Sequence, residues 1–304
     1  MQEDKNITKF NLPEILGEYR FDHQIKNWFD TKSKAEIFFK PANQIDLQNF
    51  LEKYPKSLKI SILGASSNVI IQDEILNGVL VKIGAGFSKI THYQEDNRII
   101  LESEAGNFCN NIANYCKKFG LSGLEFFSGI PGTIGGAVAM NAGCYNNDVA
   151  NNLKDVEMID YSGKFYRFTN KDCKFSYRKN QIVSDNQMII TNARFFVNQS
   201  TPVLVEENIK KLQTQRELSQ PIRAKTGGST FKNPEGYKAW QLIDLAGCRG
   251  LKNGDAQISE KHCNFMINTG NSTAKELIDL GNTVIDKVFK NSNILLEWEI
   301  KFIK

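Results

Sequence analysis

The chain runs to 304 residues, 41% hydrophobic and 24% charged, with a formal net charge of +4 from 38 basic and 34 acidic residues. That length allows two or three domains around sizeable cores, and the interspersed charges lack the concentrated basic stripe of a nucleic-acid binder. No apolar run is long enough to span a bilayer, and the opening MQEDKNITKF has no apolar signal core, so a cytoplasmic location without membrane insertion is expected.

In chain order, residues 61–71 (SILGASSNVII) read as strand, turn and strand, and residues 78–83 (GVLVKI) as a further strand. Residues 107–119 have helical spacing, with Phe108, Ile112, Tyr115 and Phe119 on one face. Cys109 and Cys116 share a side of that helix and read as buried thiols. Strands are expected at 156–159 and 188–196 with another short one between them, and a boundary at 198–202 (NQSTP). A charged helix follows over 205–218. A second helix over 239–245 carries Trp240, Leu242 and Ile243 and closes at Gly247. Thr273-Ala274-Lys275-Glu276 has the form of a capping box, opening a helix whose Leu277, Leu280, Val284 and Val288 face one way. Residues 296–303 alternate, Leu296, Trp298, Ile300 and Phe302 against Glu297, Glu299 and Lys301, as a half-buried strand does. The pattern is α+β, with a larger N-terminal region and a smaller C-terminal domain.

Six cysteines without a CxxC pair and three scattered histidines offer no clustered ligands, so reduced thiols and no metal are expected. The small residues of the 63–68 turn (LGASSN) would let backbone N–H groups approach an anion, though a plain hairpin turn explains that segment alone better. Residues 129–136 (GIPGTIGG) hold four glycines in eight. Such density costs backbone entropy unless the chain turns tightly or passes close to a ligand. Neither a P-loop nor GxGxxG is present, and a cradle for a pyrophosphate and a ring is favoured over simple loop packing. Arg178 sits in FSYR (175–178), read as a strand end, where a lone arginine is ordinarily solvated. Ser229 lies in GGSTFKNP (227–234), where a turn or capping hydroxyl is usual, and no His–Asp partner nearby supports a hydrolytic triad. Glu297 and Glu299 share the polar face of the last strand, and periodicity does not separate them.

Taken in order, GLSGLEFFSGIPGTIGGAVAMNAGCY (120–145), SYRKN (176–180), TGGSTFKNP (226–234), GDAQISEKHCNFMINTG (254–270) and LEWEI (296–300) resemble the motifs of the bacterial UDP-N-acetylenolpyruvoylglucosamine reductase family, in its shorter subtype without an extra tyrosine-bearing loop. The resemblance implies a p-cresol-methylhydroxylase-type FAD-binding fold of two α+β subdomains, residues 1–80 and 81–198, and an α+β substrate domain, residues 199–304. It implies non-covalent FAD held by Gly64, Ser66, Ser67 and Asn68 of one loop and by Gly129, Ile130, Pro131, Gly132, Thr133, Gly136 and Asn141 of another. In the implied reaction NADPH reduces FAD and leaves. The enolpyruvyl UDP-sugar, a peptidoglycan precursor, then accepts hydride at its terminal vinyl carbon.

Hydride addition builds negative charge on the α-carbon and its carboxylate, which preorganised cationic and hydrogen-bonding groups stabilise. By resemblance Arg178 holds the carboxylate, Glu299 helps polarise it and Ser229 donates a proton to the α-carbon, with Lys232 able to stabilise the alkoxide left behind. Tyr177, Lys232, Asn233, Gln257 and Glu260 are implied to line the substrate pocket.

Three places depart from the family pattern. Lys32-Ser33 and Ala65-Ser66 stand where Gly-Gly pairs are usual, and Asn146 follows Cys144-Tyr145 where Gly is common. Asn tolerates positive φ well, so the first two departures bear most on FAD affinity. They keep open a second reading, a nucleotide-sugar binding protein that has lost flavin and catalysis.

Overall fold

In a computed structural model, which describes residues 2–72 and 74–304, the chain divides into two compact units interleaved in sequence. The first takes residues 1–23, 36–65 and 78–214; the second takes 24–35, 66–77 and 215–304.

The first unit is built on two sheets. One runs Glu18–Gln24, Lys34–Lys40, Ile75–Lys82, Ile60–Leu63 in spatial order, and its last two strands are parallel with Leu63 opposite Lys82. Buried Leu47, Phe50 and Leu51 belong to the helix Gln44–Lys53, which starts where the Asn43 side chain accepts from Asp46 N. The other sheet is an antiparallel meander-like array ordered Phe165–Thr169, Leu153–Asp160, Met188–Gln199, Arg98–Glu104, Ile90–Glu95. Within 61–71 the structure has the strands Ile60–Leu63 and Val69–Ile71 around a turn, and the expected strands at 156–159 and 188–196 also lie within strands, while that at 78–83 ends one residue early, at Lys82.

The helix Cys109–Phe119 carries a correction. Its buried residues are Cys109, Ile112, Ala113 and Cys116, whereas Phe108 and Phe119 are exposed. Small side chains let the helix lie close to the rest of the core, and the aromatics are left at the rim, where Phe119 and Tyr115 gather around His92.

In the second unit, an antiparallel sheet ordered Lys225–Ser229, Phe265–Asn268, Ala256–Ile258, Lys252–Asn253 shares its core with the helices Ala239–Leu245 and Ala274–Ser292. The longer helix begins with the expected capping box, Thr273 and Glu276 exchanging side-chain and backbone hydrogen bonds. Its Leu277, Leu280, Val284 and Val288 are all buried. In the shorter helix Leu242 and Ile243 are buried but Trp240 is exposed, Ala239 taking its place inward. The expected strand over 296–303 is only partly formed. Lys301–Ile303 pairs in parallel with Val69–Ile71, while Trp298 makes an isolated bridge to Phe231. The alternation still sets burial, with Leu296 and Ile300 in the core.

Candidate active site

In the first unit, the parallel strands Ile60–Leu63 and Ile75–Lys82 bring the start of the 64–68 loop against residue 133. A Cβ on Gly64 would stand 2.3 Å from Thr133 Oγ1, so any other residue there would force the Thr133 side chain or the loop to shift. Lys82 Nζ donates to the Gly64 carbonyl on the other side. Thr133 is the residue before the helix Ile134–Ala139, yet its hydroxyl does not cap that helix. The backbone around it is pinned instead by Cys109 N donating to Gly132 O at 3.0 Å and Ile134 N to Asn107 O at 2.8 Å. Gly132 has φ of +123°, a conformation that favours glycine. Gly129, Ile130 and Pro131 precede it as the end of the short helix Glu125–Gly129 and the turn after it.

Arg178 sits in a turn, which corrects the strand-end reading. Ser176 and Lys179 exchange both backbone hydrogen bonds, at 3.0 and 3.1 Å, leaving Tyr177 and Arg178 at the tip of a two-residue loop. Arg178, the second central residue, has φ of +58° while Tyr177 does not have positive φ, the pattern of a type II turn. Its guanidinium lies 5.2 Å from the Tyr177 ring centroid. The turn is tied at both ends. Asn141 Nδ2 donates to Ser176 O at 3.2 Å, and Asn180 Nδ2 donates to Val138 O. Asn141 also accepts from Ala150 N and donates to Asp148. Its amide is therefore occupied in holding the Arg178 turn. Tyr145 and Asn146 have φ of +54° and +62°, so an asparagine here is well suited where glycine is common.

In the second unit, Ser229 and Glu299 come onto neighbouring segments. Glu299 N donates to Thr230 O at 2.9 Å and Lys232 N to Glu297 O at 2.9 Å, flanking the Phe231–Trp298 bridge. The Phe231 and Trp298 rings pack with centroids 5.1 Å apart, and Phe231 is 1% exposed. Asn264 grips the buried Phe231 backbone from the far side, accepting from its N–H at 2.9 Å and donating to its carbonyl at 2.8 Å. Thr230 is fully buried and accepts from Met266 N through its hydroxyl. These contacts separate the two glutamates that periodicity leaves equivalent. Glu297 pairs with Lys232 at 2.9 Å and its side chain is 70% exposed, whereas Glu299 is half-buried. Asn68 joins the same segment, its Nδ2 donating to Glu299 O at 3.4 Å and its carbonyl accepting from Lys301 N at 3.1 Å.

The remaining residues fall at some remove along the fold. Asn233 Oδ1 accepts from Ala239 N, capping the helix Ala239–Leu245. Gln257 and Glu260 flank Gly250, where Gln257 Nε2 donates to the Gly250 carbonyl and Arg249 to the Glu260 carbonyl. Arg249 is itself held bidentately by Asp244 at 2.8 and 2.6 Å. The Lys232 ammonium is engaged by Glu297. His262 is half-buried between Trp240 and Phe265 and accepts from Asn264 N through Nδ1, and burial holds its pKa below the ordinary 6.5. Sequence reasoning assigns no role to Asn264 or His262, although both lie in the quoted motif at 254–270; their work is done across the fold, where spacing is silent.

One polar group on the 64–68 loop lacks a protein partner. Ser66 Oγ is buried without a hydrogen bond, on a residue 4% exposed with φ of +58°. Burying a hydroxyl unpaired costs free energy that a ligand acceptor recovers. In the first unit the close approach at Gly64 leaves its backbone uncovered, and in the second the Ser66 hydroxyl is left open to an acceptor; each by itself suits the phosphate oxygens of a group such as FAD.

Comparison with known proteins sets the class first. A family model described as an FAD binding domain matches residues 35–169, so the first unit carries a flavin-binding fold. A second model, described as the C-terminal domain of UDP-N-acetylenolpyruvoylglucosamine reductase, matches residues 220–303. Curated proteins named UDP-N-acetylenolpyruvoylglucosamine reductase match from end to end: one from Rickettsia bellii is 49% identical with 96% of each chain covered. One from Rickettsia prowazekii is 47% identical with 96% of this chain and 98% of its own covered. The crystal structure of the Thermus caldophilus enzyme of that name superposes with a TM-score of 0.78 at 27% identity, over 96% of this chain and all of the other. This chain belongs to the UDP-N-acetylenolpyruvoylglucosamine reductase family.

Proposed function

We propose that the protein reduces UDP-N-acetylglucosamine enolpyruvate to UDP-N-acetylmuramate with NADPH and non-covalent FAD, in the cytoplasm, as a step of peptidoglycan precursor synthesis. Bound FAD supplies the hydride that the terminal vinyl carbon of the substrate accepts. The residues to hold it are Gly64, Ser66, Ser67 and Asn68 of one loop and Gly129, Ile130, Pro131, Gly132, Thr133 and Gly136 of the other, with Asn141 bracing the chain behind. In the same reading the chain functions as two cofactor subdomains, 1–80 and 81–198, and a substrate domain, 199–304.

Electron density arriving at the vinyl group moves onto the α-carbon and the carboxylate. Arg178 neutralises the carboxylate, and Glu299 polarises it, favouring the enolate-like state. The Ser229 hydroxyl then gives its proton to the α-carbon, which completes the saturated lactyl ether. Tyr177, Lys232, Asn233, Gln257 and Glu260 line the nucleotide-sugar pocket.

One observation carries this reading furthest: Ser229 and Glu299 occupy facing segments locked by the hydrogen bond between Glu299 N and Thr230 O. Such a lock suits two groups that must act on one small substrate. Among the described residues no helix is long and apolar enough to cross a membrane, in keeping with a water-soluble substrate.

NADPH oxidation by purified protein, followed with and without the enolpyruvyl substrate, tests the assignment. Yellow protein whose flavin is released by acid, substrate-dependent NADPH consumption and a product two hydrogens heavier are expected. Colourless protein that FAD does not reconstitute would instead support a binding protein without catalysis.

A further inference from the structure

Residues 79–83 form a nearly continuous buried run, Val79, Leu80, Val81 and Ile83 all inside, interrupted by one charged side chain, Lys82. A lysine in such a strand is costly to desolvate, and burial holds its pKa below the ordinary lysine range. Several exposed or half-buried lysines elsewhere, among them Lys154, Lys225 and Lys232, pair with carboxylates. Among the described residues no ion pair includes Lys82. Its ammonium donates to the neutral carbonyl of Gly64, which orients the charge and leaves it uncompensated.

A second group faces the same residue. Thr133 is 4% exposed, and although it stands at a capping position its side chain does not cap the helix Ile134–Ala139. Its Oγ1 lies 2.3 Å from where a Gly64 side chain would begin. The Gly64 peptide is thus held at its oxygen by Lys82 and hemmed at its α-carbon by Thr133. A positive charge without a counter-ion and a hydroxyl not spent on its helix meet at one peptide, and an anionic oxygen suits both.

We propose that Lys82 is a positioning residue for the cofactor pyrophosphate: through Gly64 it fixes the first loop, and its charge compensates the phosphates held there. The proposal rests on the reading of the 64–68 loop as an FAD site. It also accounts for a lysine that secondary-structure spacing treats only as part of a strand.

The test uses FAD-stripped protein titrated with FAD and with riboflavin, which lacks the pyrophosphate, followed by flavin fluorescence. Lys82→Met keeps the length of the chain and removes the charge. The expected result is FAD affinity weakened by roughly tenfold or more, riboflavin affinity unchanged, and thermal stability of the stripped protein unchanged or raised. The salt dependence of FAD binding should also become shallower, and Lys82→Arg should recover most of the affinity. Should Lys82→Met not fold, Lys82→Gln is read against the same outcomes. Unchanged FAD affinity in the uncharged variant overturns the proposal, as does an equal loss for FAD and riboflavin, since that pattern marks a structural residue only. If the parent protein binds neither flavin, the FAD reading itself fails, and the proposal goes with it.

Discussion

Arg178 and the Ser229–Glu299 pair are held by opposite means. Arg178 stands at the tip of a two-residue turn with positive φ, tied at its ends by the side chains of Asn141 and Asn180. Ser229 and Glu299 lie on two extended segments joined by paired backbone hydrogen bonds, an aromatic contact and the two-sided grip of Asn264. A turn can yield and re-form around a ligand, whereas a cross-linked pair in a packed core keeps its geometry before substrate arrives. In the proposed reaction, Arg178 would then be the adjustable element and Ser229 the fixed one.

The sharpest test of that contrast is Ser229→Ala. With its scaffold intact, the variant should lose about 10²–10⁴ in kcat for the enolpyruvyl substrate, while flavin reduction by NADPH in stopped flow stays at the parent rate. A comparable loss in the flavin-reduction half would show that Ser229 is structural. Arg178→Lys should lose about 10²–10³ in kcat, because a lysine keeps the charge and forfeits the planar fork. Adjustability predicts that added guanidinium restores part of the activity of Arg178→Ala, and no rescue at any concentration argues for a rigid turn.

The two supports should fail differently. Asn264→Ala strands the N–H and carbonyl of buried Phe231 and is expected to cost about 2–5 kcal/mol in urea unfolding. Asn141→Ala should cost less stability, about 1–2 kcal/mol, and raise KM for the enolpyruvyl substrate more than it lowers kcat. Equal stability losses would erase the distinction between braced turn and locked pair.

The smallest effect is one of pH. His262 is neutral in the folded state because burial lowers its pKa, and its Nδ1 accepts from Asn264 N. Its contribution to stability is complete above the unfolded value of 6.5 and is lost as pH falls through the lower folded value. Thermal scans between pH 7.5 and 5 should therefore show a steeper decline for the parent than for His262→Gln, by about 1 kcal/mol or less. Identical slopes would remove His262 from the support of Asn264.

Local chemistry was legible in advance where it is written in neighbouring residues. The capping box at Thr273, the stripe Leu277, Leu280, Val284 and Val288, and the close-approach glycine loops all follow from propensity and spacing. On the helix Cys109–Phe119 the expected burial of Cys109 and Cys116 holds, and only the aromatic stripe departs: Ala113 goes inward with them, while Phe108 and Phe119 stay exposed because size outweighs hydrophobicity in a close approach. The difference between Glu297 and Glu299 depends on Lys232 and Thr230, some sixty positions away, and no periodicity within residues 296–303 encodes it. Resemblance named the same residues early, and the geometry supplies a reason to treat them unequally.

The pairing of Lys301–Ile303 with Val69–Ile71 bears on how the chain is made. The stretch matched as a C-terminal domain cannot stand alone, since its core includes Phe29 and its Asn268 side chain donates to the Phe29 carbonyl at 2.7 Å. Cutting the gene near codon 215 should yield halves that aggregate separately and recover flavin binding only when co-expressed. On the ribosome, roughly ten to forty seconds of elongation at about 5–20 residues per second separate one strand from its partner. During that interval the segment Val69–Ile71 presents a bare edge to the cell, so the nascent protein should lean on chaperones until residues 301–303 have emerged.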